Sequence, residues 1–105
     1  MDIRHRWSEQ NNTWSVSLTG EIDIYNAPEL KNSLLNLVEQ NKGNIQIDCA
    51  DLKYIDSTGL GVLISALRRV KDYNGAITIK NLQPYIYKIF TITGLDKVFT
   101  IEVQE

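Results

Sequence analysis

Ser57 is the residue of this chain whose type and surroundings best suit chemistry. It follows Asp56, precedes Thr58 and leads into Gly59 and Gly61, within the run YIDSTGLGVLISALRRVK at residues 54–71. Asp, Ser and Thr favour helix N-caps, because a side-chain oxygen can accept the unpaired N–H groups of a first turn. Apolar residues recur at Leu60, Leu63, Ile64 and Leu67, the i, i+3, i+4, i+7 spacing of an amphipathic helix. The spacing predicts a helix ending near Tyr73, with those four residues in the core and Val62, Ser65 and Arg69 on the surface. A glycine inside an exposed helix costs roughly 1 kcal/mol relative to alanine. Two in one first turn point to something that approaches the backbone there.

Several chemistries can be weighed against these residues. A nucleophilic Ser57 needs a base, and the only histidine is His5, on a strand whose Ile3 and Trp7 point inward. That is a structural position, and the flanks of Ser57 are not G-x-S-x-G. Gly59-Leu60-Gly61 lacks the third glycine of a dinucleotide fingerprint, since Ile64 occupies it, and no P-loop motif occurs in the chain. Cys49 reads as a small buried thiol, and no Cys/His spacing suits a metal, so neither metal nor cofactor is expected. The carboxylates Glu21, Asp23, Asp48, Asp51 and Asp56 gather towards strand-to-helix ends, where such groups serve either as acid–base pairs or as turn caps.

A modifiable hydroxyl remains. A phosphate on Ser57 would bring about −1.5 to −2 charge and three acceptor oxygens. A helix N-terminus favours an anion by about 0.3–1 kcal/mol. Phosphate there is therefore compatible with the fold and would act at a partner's surface, with Asp23 and Asp56 adding like charge.

The elements that must hold these residues follow from pattern. Ile3, His5 and Trp7 alternate with polar residues, as do Trp14, Val16 and Leu18, and the two runs flank the turn Gln10–Asn12. This predicts a hairpin closed at Gly20. Asn26 and Pro28 open a helix to about Gln40, with Leu30, Leu34, Leu37 and Val38 on one face. A short strand, IQIDCA, and a turn at Asp51, Leu52 and Lys53 precede the Ser57 helix, for which Asn74 and Gly75 are the stop signal. A strand AITIK, a helix from Pro84 to Gly94 and an edge strand around Val98, Thr100 and Ile101 complete the order. Single helices between strands imply one α/β domain over residues 1–105, with a mixed sheet and helices packed against it.

Composition narrows the function classes. The chain has 105 residues, 43% hydrophobic, and a formal net charge of −2. No face is dominated by Lys and Arg, which argues against direct nucleic-acid binding. There is no apolar run suited to a signal peptide or a membrane span, and a single cysteine fits a reducing compartment, so the expected location is the cytoplasm.

Three stretches together resemble a known family: GEIDIYNAPEL at residues 20–30, YIDSTGLGVLI at 54–64 and TGLDKVF at 93–99. The sequence is similar to STAS domains, specifically the stand-alone bacterial anti-sigma factor antagonists. The resemblance implies a mixed-sheet STAS fold and a non-enzymatic, partner-switching role. It implies that Ser57 is phosphorylated by an anti-sigma factor with serine kinase activity, and that a serine phosphatase reverses this. Asp23 matches a position implicated in docking, and Asp56 the motif aspartate. Asp23, Asp56, Ser57, Thr58, Gly59 and Gly61 are the expected partner-binding residues, with the glycines giving clearance and Val62, Ser65 and Arg69 extending the surface. Thr58 offers a second hydroxyl, and the bulky Tyr25 is placed to tune partner choice. The alternatives are a STAS scaffold in another signalling assembly, a nucleotide-binding module or a small enzyme using the loop carboxylates.

Overall fold

The computed structural model describes residues 1–102. Its elements run β1 (Asp2–Ser8), β2 (Thr13–Ile22), α1 (Ala27–Gln40), β3 (Asn44–Ile55), α2 (Ser57–Lys71), β4 (Ile77–Lys80), α3 (Pro84–Thr93), a 3-10 turn (Leu95–Lys97) and β5 (Thr100–Glu102). The five strands form one sheet in chain order. β1 and β2 pair antiparallel, while β2–β3, β3–β4 and β4–β5 are parallel. The expected mixed sheet is observed. A parallel pair needs a crossover long enough to return the chain, and each helix supplies one.

Period-two alternation explains the layering. Trp14, Val16 and Leu18 are buried while Ser15, Ser17 and Thr19 are exposed, so one face of β2 enters the core. Ile45, Ile47, Cys49, Ile77 and Ile79 continue that face, and Leu30, Leu34, Leu37, Leu63 and Val70 close over it from α1 and α2. Phe90 of α3 meets Phe99 edge-on, with ring centroids 5.9 Å apart. Trp7 faces Trp14 across the hairpin at 5.3 Å, and Trp14 Nε1 donates to the Asn41 carbonyl after α1.

The structure differs from the sequence reading in several places. Asp51, Leu52 and Lys53 are not a turn: β3 continues through them to Ile55. The β2–β3 register shifts between Ser17 and Thr19 and again between Gly20 and Glu21. These irregularities interrupt the alternation, so that Leu52 and Ile55 still reach the core. Gly20 does not close the hairpin either. It lies within β2, at φ +93°, a conformation that glycine adopts freely. His5 is exposed between its half-buried neighbours Ile3 and Trp7, although its ring leans edge-on against Trp14 at 5.7 Å. β1 is an edge strand, so little packs over it. The stop of α2 uses Asn74, at φ +63°, while the Gly75 N–H closes on the Val70 carbonyl.

Cys49 is buried in the sheet. Burial, and secondarily the charge of Asp48, pushes its thiol up to about 12. Because the thiolate is the reactive form, iodoacetamide at about pH 8 is expected to leave Cys49 unmodified in the native protein. The same reagent should label it in denaturant. Native labelling at the denatured rate would contradict the buried placement.

Candidate functional site

Parallel pairing of β2 with β3 brings two loops together at the ends of both strands. Ile22 pairs with Ile55, and the Asp56 N–H donates to the Ile22 carbonyl at 3.1 Å. The loop before α1 and the first turn of α2 are therefore neighbours, although more than thirty residues separate them in sequence.

At the start of α2 the cap is Asp56. Its backbone is extended, and its carboxylate accepts the Thr58 and Gly59 N–H groups at 3.0 and 3.1 Å. The Thr58 hydroxyl donates to the same oxygen. Ser57 is thus not the cap that its type allowed but the first residue of the helix. It is exposed, and among the described residues its hydroxyl has no hydrogen-bond partner. Of the two adjacent hydroxyls, Thr58 is engaged and Ser57 is free.

The Thr58 hydroxyl, and next the Gly59 N–H, hold the Asp56 carboxyl below its ordinary 3.8, with the Thr58 and Ile24 N–H groups adding to the effect. The sign of the linkage follows. A carboxyl depressed on folding contributes stability above its unfolded pKa, and loses it as the pH falls through the lower folded value. Thr58→Ala should move the Asp56 titration back towards 3.8. Carbon-detected NMR titration of that carboxyl checks this, and an unchanged midpoint would refute the Thr58 contact.

The neighbouring loop is organised by Asp23. One of its carboxylate oxygens accepts the Tyr25 N–H at 2.9 Å and the Asn26 N–H at 3.2 Å. Asn26 answers with Oδ1, which accepts the Asp23 N–H at 2.9 Å, while its Nδ2 donates to the Glu21 carbonyl. Asn26 occupies the N-cap position of α1 but uses its side chain on this loop, with no cap hydrogen bond to the helix. The closed turn presents Ile24, 62% exposed, and Tyr25, 91% exposed.

The glycines have unlike roles. A Cβ on Gly59 would stand 2.6 Å from Ile55 Cγ1 and 2.7 Å from Ile22 Cγ2. Gly59 is buried, so its expected role as clearance for a partner is corrected: the close approach is to the protein's own sheet. Gly61 is exposed and a Cβ there would meet nothing within 4 Å.

Val62 is also corrected, because it is buried and unavailable to a partner. The core stripe of α2 is Gly59, Val62, Leu63, Ala66, Leu67 and Val70. Seating Gly59 on the sheet turns the helix so that Leu60 and Ile64, expected in the core, are only half-buried at its margin. Ser65 is half-buried and donates to the Gly61 carbonyl, and Arg69 reaches across to Glu39 of α1 at 3.6 Å.

The STAS family, described as the Mlab STAS domain, matches residues 5–103. The chain belongs to the STAS family. A curated relative, the anti-sigma-B factor antagonist of Bacillus subtilis (strain 168), is 36% identical over 104 residues, covering 99% of this chain and 94% of its own. Solved structures share the fold, two forms of one protein among them. The anti-sigma factor antagonist SpoIIAA in its unphosphorylated form has a TM-score of 0.77 at 17% identity, with 99% of this chain and 90% of that one covered. Bacillus SpoIIAA in the phosphorylated form has a TM-score of 0.74 at 19% identity, with 98% and 93% covered.

Within this STAS domain three of the candidate carboxylates are engaged by local hydrogen bonds. Asp23 and Asp56 each hold their own turn, and Asp48 lies in β3, bound by Asn81 Nδ2 and the Ala50 N–H. His5 pairs with Val16, six residues before Ile22 on β2, which places it about 20 Å from the Ser57 end of the sheet. It is out of reach as a base for Ser57. No helix among the described residues is long and apolar enough to cross a membrane. What sequence reasoning missed is Ile24. Its signal was an apolar pair, Ile24-Tyr25, inside a loop tied at both ends by Asp23 and Asn26.

Proposed function

We propose that this chain is an anti-sigma factor antagonist that works by partner switching, with Ser57 as the switch. Unphosphorylated, it binds an anti-sigma factor that is a serine kinase, and so frees a sigma factor. That kinase phosphorylates Ser57 and ends the complex, and a serine phosphatase resets it in the cytoplasm. The observation that carries this reading is the exposed, unengaged Ser57 hydroxyl beside an apolar loop tip, Ile24 and Tyr25. Aromatic residues standing free on a rigid turn are the kind that dominate binding energy at interfaces. The relative named as an anti-sigma-B factor antagonist, and the phosphorylated form of SpoIIAA, support it further.

Phosphate chemistry at this position needs nothing from the domain itself, because the kinase brings the nucleotide. The chain acts as a binding module and substrate. Asp23, Asp56 and Gly61 line the approach, with Thr58 held back by its bond to Asp56. A pull-down from the host with the unphosphorylated chain is expected to recover a small ATP-binding kinase, released when ATP is added. Recovery of a signalling assembly without such a kinase would favour the scaffold reading instead.

A further inference from the structure

Helix α2 carries Ser57, Gly61, Ile64, Arg68 and Lys71 at i, i+4, i+7, i+11 and i+14, a single stripe along its length. At 1.5 Å per residue, Ile64 lies about 10 Å and Lys71 about 21 Å from Ser57 along the axis. The lower half of the stripe borders a groove of about 730 Å³ between α2 and the 3-10 turn. The floor is apolar, with Leu67 from α2 and Leu95 and Val98 from the segment after α3. Val98 is 50% exposed.

The rim is basic. Arg68, Lys71 and Lys97 are all exposed there, against one acid, Asp72, on a chain whose net charge is −2. Among the described residues, ion pairs engage Arg4, Arg69 and Lys80 and none of these three.

We propose that this groove seats an acidic amphipathic helix of the anti-sigma partner, as a second contact below the Ser57 switch. The proposal rests on the partner-switching reading above. Charge complementarity with an apolar floor suits a helix that presents apolar anchors at i and i+3 or i+4, flanked by Asp and Glu. A nucleic acid would want a longer basic track and no apolar floor. An anionic membrane wants a denser cluster, about 4–8 cations. The far end of the groove lies beyond the Debye length, about 8 Å at physiological salt, from a phosphate on Ser57. The groove therefore contributes the same factor to affinity whether or not Ser57 carries phosphate, and the switch surface alone decides whether the complex holds.

The test uses the kinase recovered by the pull-down and titrates it with the full chain at several salt concentrations. Arg68→Glu/Lys71→Glu is expected to weaken binding by roughly tenfold and to flatten its salt dependence, since charge reversal acts through long-range attraction. The same factor should appear on a Ser57→Asp background. Val98→Asp, also on the surface, removes an apolar anchor and changes the charge by one where the double variant changes it by four, so it should weaken binding with a much smaller change in salt slope. Unfolding curves confirm that each variant keeps its fold. If both groove variants bind like wild type while Ser57→Asp binds weakly, the groove proposal is wrong and the switch stands. If Ser57→Asp also binds like wild type, the switch reading has failed first. Sedimentation that shows a dimer dissociated by Val98→Asp, with partner affinity unchanged, would assign the groove to a second copy and overturn the proposal.

Discussion

Ser57→Asp is expected to lose about a hundredfold in affinity for the anti-sigma partner, and phosphorylated Ser57 at least as much, while Ser57→Ala binds like wild type and resists release by ATP. The size follows from like charge brought into an interface, about 3 kcal/mol. The geometry sharpens why the effect appears there and not in the fold. An anion at a helix N-terminus is ordinarily welcome. Here the Thr58 and Gly59 N–H groups already bond to Asp56, so a phosphate one residue later finds those donors taken. It gains little from the helix, adds its charge beside Asp56 and projects from an exposed position. Thermal melts of the phosphorylated and unphosphorylated chain should therefore differ little while their affinities differ greatly. Equal affinities measured by calorimetry would refute the assignment.

Gly59→Ala is expected to destabilise the domain by about 1–3 kcal/mol, whereas Gly61→Ala should stabilise it by about 0.5–1 kcal/mol. Both changes improve helix propensity by a similar amount, so the difference isolates packing. The new methyl at Gly59 would enter space held by Ile55 Cγ1 and Ile22 Cγ2, at 2.6 and 2.7 Å. These belong to buried β-branched side chains at the ends of two paired strands, which have few alternative rotamers. At Gly61 the methyl enters open space. Urea unfolding of the two variants decides the matter. If Gly59→Ala were as stable as Gly61→Ala, the seating of α2 on the sheet would be wrong. Because Gly61 stands on the stripe with Ser57, a larger change there, such as Gly61→Arg, should leave folding intact and weaken partner binding.

These two residues also mark what could be read from the chain. Cap chemistry is local, so the start of α2 was legible in Asp56, Ser57 and Thr58, and the order of strands and helices in simple periodicity. Which of the three residues caps the helix was not, because it depends on Asp56 closing the end of β3 by bonding back to Ile22. The extension of β3 through Leu52 was hidden for a related reason, since its turn-like residues pair with β2 only across shifts in register. Gly59 looked like Gly61 in sequence. Only the juxtaposition of Ile22 and Ile55 separates one glycine that admits the sheet from one that leaves the surface open. That same contact rotates the helix, burying Val62 and drawing Leu60 and Ile64 to the margin.

The candidate site was legible in its residues more than in their roles. Asp23, expected from the sequence at the docking surface, is the residue that shapes the loop. The surface it offers is made by Ile24 and Tyr25, held out by a turn closed from Asp23 and Asn26. On the proposed reading, partner choice depends on an apolar tip beside a hydroxyl, with the carboxylates fixing both in place.

The central claim, that the free hydroxyl of Ser57 is the switch, is tested most directly by mapping phosphate after incubation with the anti-sigma kinase and ATP. The account predicts a single phosphate on Ser57, appearing in step with loss of the complex. A phosphate on Thr58 instead, or a complex that survives full modification of Ser57 at undiminished affinity, would contradict it.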